Sequence, residues 1–201
     1  AVSRPALVDS LRRGRGATLT LVSAPAGYGK TTLLTQWVLA SAETEPDTAF
    51  AWVSLDSGDA DVVRFWTTVI AACARAVPGV GTRALEVVQT LATRQVDAAL
   101  PLLLEDLSGL DTRMVLILDD FHQAETREIS DSMVQFLSYR PSLVQVVVAT
   151  RTDPSLRIPR LRALSDAVYG GDERLGAALA RATTDARAWV TSRQVGGSDP
   201  P

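Results

Sequence analysis

The chain has 201 residues, 46% of them hydrophobic, and a net charge of -3, with a sequence pI of about 5.2. Such a length and apolar content suit one α/β domain with a sizeable core and exclude a disordered chain, while the acidic balance argues against a sequence-independent grip on nucleic acid. A single cysteine, Cys73, cannot form an internal disulfide, which fits a reducing, cytoplasmic setting, and no apolar run is long enough for a membrane span.

Near the start, Arg12, Arg13 and Arg15 precede an apolar stretch at 17–26 in a loose imitation of a signal peptide. That stretch is too short for one and runs straight into a Gly-Lys-Thr motif. An opening Ala in place of Met suggests a trimmed or internal start. Residues 17–24 alternate and are β-branched, and they stop at Pro25 and Gly27, so they read as a buried strand. A helix follows over 31–40, with Leu33, Leu34, Trp37 and Val38 on one face.

Between that strand and that helix lies Ala24-Pro25-Ala26-Gly27-Tyr28-Gly29-Lys30-Thr31-Thr32. Lys30 is the only lysine; every other basic residue except His122 is arginine. Strand, Gly-rich loop and helix form the context of a phosphate-binding loop of the G-x-x-x-x-G-K-[ST] type, a Walker A motif with Ala24 in the first glycine's place. Successive backbone amides over Ala26, Gly27, Tyr28 and Gly29 would wrap phosphates, and the helix dipole adds to them. The compact Lys30 ammonium would reach between the β- and γ-phosphates. The Thr31 hydroxyl would ligate Mg²⁺, and Thr32 would sit near the α-phosphate. The implied ligands are ATP or ADP with Mg²⁺.

Residues 48–55 form a second strand. After a turn at Asp56-Ser57-Gly58-Asp59 comes a helix with Val62, Phe65, Trp66, Val69, Ile70 and Cys73 at helical spacing, ended by Pro78-Gly79. Two more helices are predicted over 82–92 and 96–107, with Pro101 near the first turn of the second. Residues 113–118 read as a fully apolar third strand ending in Asp119-Asp120, a Walker B pattern. Asp119 would hold Mg²⁺ and Asp120 would orient or deprotonate the attacking water. Asp120 is one methylene shorter than the Glu common at this position in active ATPases, so hydrolysis is expected to be slow.

Ile129, Met133, Phe136 and Leu137 mark another helix, and 143–150 a fourth strand ending at Arg151. Arg151 at that tip would touch the γ-phosphate. His122 reads as a residue with a local polar or packing role, Cys73 and most tryptophans read as core, and the arginines at 157, 160 and 162 read as a solvated face. Strands alternating with helices predict a parallel sheet covered on both faces. Beyond about residue 164 the pattern weakens. Residues 172–193 read as helical and 196–201 as a frayed tail.

These motifs together resemble the nucleotide-binding domain of STAND-class signalling ATPases, and more narrowly the MalT-like, LuxR-type large ATP-binding regulators of bacteria. The matching pieces are Arg4-Pro5-Ala6-Leu7, the phosphate loop from Ser23 to Thr32, Ala51-Trp52-Val53-Ser54-Leu55-Asp56, Arg64-Phe65-Trp66, Leu116-Ile117-Leu118-Asp119-Asp120-Phe121-His122 and Val148-Ala149-Thr150-Arg151. They cover 1–164, the expected nucleotide-binding domain. The resemblance implies an AAA-like P-loop NTPase fold and an ATP/ADP switch that regulates transcription. It also implies self-association in the ATP state and DNA contact through a separate helix-turn-helix domain, so this chain itself is expected to bind neither DNA nor membrane. Residues 165–201 depart from the family's further strand and helical lid. They are expected to be a divergent or truncated segment, with the strand beside the phosphate-loop strand missing or reduced to Ala167-Val168-Tyr169. A stand-alone ATPase or phosphotransferase, or an inert fragment, are the alternative readings.

Overall fold

A computed structural model describes residues 5–14, 17, 19–90, 95–152, 154, 156 and 166–167. The elements in chain order are α1 (Pro5–Arg13), β1 (Leu19–Ser23), α2 (Lys30–Thr44), β2 (Ala49–Ser54), α3 (Val62–Ala76), α4 (Thr82–Thr90), α5 (Gln95–Ser108), β3 (Met114–Asp119), α6 (Arg127–Tyr139), β4 (Val144–Thr150) and β5 (Asp166–Ala167). Short 3₁₀ turns follow β2 at Ser57–Ala60 and β3 at Phe121–Gln123.

The strands form one five-stranded sheet in the order β2-β3-β4-β1-β5, and every pairing is parallel. β1, β3 and β4 are buried along their whole length, as their near-continuous Val, Leu and Ile content requires of strands covered on both faces. β2 is an edge strand, and its Phe50 and Trp52 stay half-buried. One apolar cluster joins Leu116, Leu118, Val146 and Val148 to α3, α5 and α6 through Phe65, Trp66, Leu103, Met133 and Phe136. The other joins Val115, Ile117 and Val147 to α1 and α2 through Val8, Leu11, Leu33, Leu34 and Trp37.

Three details differ from the sequence reading. α1 was not anticipated; it packs on α2, where Arg12 donates to the Ala40 carbonyl at 2.9 Å. Pro101 lies well inside α5 and not at its first turn, so the helix runs on without that residue's amide. The edge beside β1 carries a two-residue strand: Thr20 pairs with Asp166 and Leu21 with Ala167. It begins one residue earlier than expected, and Val168 and Tyr169 lie outside the described residues, as do the helix expected over 172–193, the tail and the arginines at 157, 160 and 162. Cys73 is buried in α3, as its apolar spacing suggests, and burial pushes its thiol up to about 12.

Candidate nucleotide-binding site

The loop between β1 and α2 takes its shape from two glycines. Gly27 has φ +80° and Gly29 φ +75°, on the left-handed side where a side chain is strained. Gly29 is also the N-cap of α2 and no side chain caps that helix, so its first-turn amides face the loop. Ala26 and Thr32 are exposed and Tyr28 is half-buried. Lys30 is only 7% exposed. Its ammonium folds back onto the loop, donating to the Ala24 carbonyl at 2.8 Å and the Pro25 carbonyl at 3.3 Å. A buried cation bonded to carbonyls, with no ion pair to a carboxylate among the described residues, is suited to take up an anion.

Thr31 reaches across the sheet. Its hydroxyl donates to Asp119 Oδ2 at 2.7 Å, over a sequence separation of 88 residues. Asp119 is 3% exposed at the tip of β3. Burial pushes its carboxyl above the usual range, opposed by the Thr31 hydrogen bond and reinforced by the neighbouring Asp120 charge. The other oxygen, Oδ1, accepts the Asp120 amide at 3.0 Å. A hydroxyl and a carboxylate oxygen side by side are hard oxygen donors of the kind Mg²⁺ takes.

Asp120 has φ +55° and ψ +38°, the one non-glycine with positive φ among the described residues. Its carbonyl accepts the Gln123 amide at 2.9 Å, closing the 3₁₀ turn. This strained geometry turns the chain sharply after β3 and brings His122 back toward the acids. His122 Nδ1 lies 3.8 Å from Asp120 Oδ1, and neither ring nitrogen has a hydrogen-bond partner although both are buried. Burial pushes the imidazole below its ordinary range; the Arg151 charge adds to this and the Asp120 charge opposes it.

Arg151 leaves the tip of β4 exposed to solvent. It directly follows β4, which lies between β1 and β3 in the sheet, so it stands on the same rim. The structure thus gathers Lys30, Thr31, Asp119, Asp120 and Arg151 at the carboxyl ends of β1, β3 and β4. It also brings His122 beside them, a residue to which the sequence reading gave a local polar or packing role. Its spacing of two from the acid pair was the available signal. Among the described residues no group of three or more His, Cys, Asp or Glu forms a metal cluster, and no helix is long and apolar enough to cross a membrane.

No family profile matches the chain. It is 32% identical over 174 residues, 87% of its length, to the HTH-type transcriptional regulator MalT of Yersinia pestis (strain Pestoides F). The same identity and coverage hold for the HTH-type transcriptional regulator MalT of Cronobacter sakazakii. The aligned part is 19% of those relatives, so the chain spans about a fifth of their length. Among solved structures it is similar to the Aeropyrum pernix ORC1 protein in complex with DNA, at a TM-score of 0.57 and 13% identity, covering 94% of this chain and 50% of that one. That likeness is one of fold.

Proposed function

Because the chain is a MalT-like P-loop NTPase domain, we propose that it is the ATP-binding, slowly hydrolysing switch module of a transcriptional regulator. The observation that carries this reading is the 2.7 Å bond from Thr31 to Asp119, which closes the phosphate loop onto the acid pair. The glycine-shaped loop and Lys30 would hold the phosphates of ATP or ADP. Thr31 and Asp119 would hold Mg²⁺, which when bound screens phosphate charge and polarises the γ-phosphoryl group. Asp120 would accept a proton from the attacking water or orient it, and Arg151 would meet the γ-phosphate. An Asp at this position sits further from the water than a Glu would, which favours holding ATP over turning it over.

DNA contact is assigned to a part of the full-length regulator outside these 201 residues. The net charge of -3 supports this. Self-association belongs to the ATP state. The test is titration with fluorescent Mg-ATP beside circular dichroism. Lys30→Ala should weaken binding at least tenfold while the spectrum is kept; undiminished affinity in the folded variant would refute the assignment.

A further inference from the structure

Arg64-Phe65-Trp66 at the start of α3 plays no part in the chemistry above, yet all three brace the turns beside the acid pair. Arg64 Nε donates to Asp59 Oδ1 at 3.2 Å, and its guanidinium lies 3.6 Å from Asp56 Oδ1. Asp59 is 4% exposed and also accepts the Asp56 amide on Oδ2 at 3.0 Å. Asp56 in turn accepts the Gly58 amide at 2.7 Å. The guanidinium rests so close on this turn that a Cβ on Gly58 would fall 2.6 Å from it. The turn is therefore locked to α3. It follows Leu55, whose amide donates to the Asp119 carbonyl at 3.0 Å.

The next two residues complete the brace. Phe65 is fully buried and meets the Phe121 ring edge-on, with centroids 6.2 Å apart. Phe121 is the residue between Asp120 and His122. Trp66 packs edge-on against Phe65 at 5.4 Å and donates its indole N–H to Ser132 of α6 at 2.9 Å. A non-glycine in the left-handed region persists only when its surroundings over-determine it. The hydrogen bonds of the Asp120 amide and carbonyl are local. The turn's ties to the rest of the fold include the Leu55 amide on the Asp119 carbonyl and the buried Phe121 ring, and Phe65 is a wall against which that ring stands.

We propose that Phe65, fixed by the Arg64–Asp59 pair and by Trp66, is a positioning residue that sets where Asp120 and His122 stand in the site. The inference rests on the ATP-hydrolysis reading above in what it says of rate, and on geometry alone in what it says of the turn. Displacements of about 1 Å at a reacting centre cost on the order of 100-fold in rate. Lys30 and Thr31 ride on α2, which packs against the opposite face of the sheet, so nucleotide affinity should be spared.

His122 is the only histidine, so one imidazole NMR signal reports the turn with or without nucleotide. It is faced by Asp119, Asp120, Lys30 and Arg151, and burial is the main cause of its depressed titration. Phe65→Leu should move the signal and raise its titration toward the ordinary value of 6.5 as water enters. Ile70→Val, a loss of one methylene from the same buried face of α3, should leave it in place. With ATP, Phe65→Leu should lower kcat about tenfold and keep affinity within about twofold, whereas Ile70→Val should change neither. Should Phe65→Leu not fold, Asp59→Asn tests the same brace in the same direction. An unmoved His122 signal in the folded variant, equal movement in Ile70→Val, or an unchanged kcat would overturn the proposal. Failure of the wild-type chain to bind ATP would remove the proposed function instead, and the His122 comparison would still decide whether the brace exists.

Discussion

Gly27 and Gly79 form a matched pair for testing the phosphate loop. Their φ angles are +80° and +95°, and a Cβ built on either meets no atom within 4 Å. Replacing either with alanine therefore adds no clash. What remains is the backbone cost of an L-residue on the left-handed side, roughly 1–2 kcal/mol. At Gly79, in the turn after α3, that cost should appear as lost stability, about 2–4 °C of Tm per kcal/mol for a chain of this size. Gly27 lies in an exposed loop with room to relax, so Gly27→Ala can turn to negative φ with little loss of Tm. Binding phosphate then requires the strained form again, and the same 1–2 kcal/mol appears as a roughly 5- to 30-fold weaker affinity. Thermal unfolding without nucleotide and fluorescent Mg-ATP titration separate the two outcomes. Gly27→Ala binding within twofold of wild type, or Gly79→Ala losing as much affinity, would refute the assignment of this loop to phosphate.

Asp119→Asn should weaken Mg²⁺-dependent binding, whereas Asp120→Asn should leave ATP bound and slow its turnover at least tenfold (a general base is typically worth ~10²–10⁴); equal affinity loss in both would contradict the division of roles. Pro101→Ala should stabilise the chain by about 1–2 kcal/mol, because an interior proline forfeits an amide bond worth more than the chain entropy it saves; a lower Tm would show that the proline fits a bend the helix needs. Cys73 titrates at about 12 in the fold against 9.0 for a free thiol. The folded value is the higher one, so its contribution to stability is intact below pH 9 and is lost as pH rises from 9 through 12. Cys73→Ala should flatten that alkaline limb, and denaturant melts from pH 8 to 11 would read it.

The sheet was legible because its buried strands are continuous runs of β-branched and aliphatic residues, and the loop because glycine and lysine at fixed spacing have few other uses. α1 was not, since an apolar stripe of Val8 and Leu11 over nine residues is too short to stand out. β5 was barely legible for a related reason: two residues held by backbone pairing carry no side-chain pattern. Within the candidate site, an Asp-Asp pair says nothing of which aspartate turns left-handed. That depends on Phe121 finding Phe65, an aromatic contact across 56 positions of sequence that periodicity cannot reveal. The position of His122 beside the acids was hidden for the same cause. Its isolation in the sequence hid the reversal of chain direction that returns it to the acids.

The strand order explains why Arg151 belongs with residues so far from it in sequence. β4 lies between β1 and β3, so the phosphate loop and the acid pair flank its exit and are not neighbours in the sheet. Two bonds bracket that exit: the Ala24 amide donates to the Thr150 carbonyl at 3.2 Å, and the Thr31 hydroxyl spans to Asp119. On the proposed reading, a polyphosphate held by the loop with its cation on the acid side would stand over the end of β4, and the first residue to leave that end is Arg151. An arginine there would need no folding of its own to find that anion, because the parallel register of β1, β4 and β3 sets where it leaves the sheet. On that reading its side chain would sense the state of the site, because a guanidinium facing a γ-phosphate would lose its partner when that phosphate leaves. Its exposure would suit such a reporter, since it leaves the guanidinium accessible to a ligand standing over the end of β4.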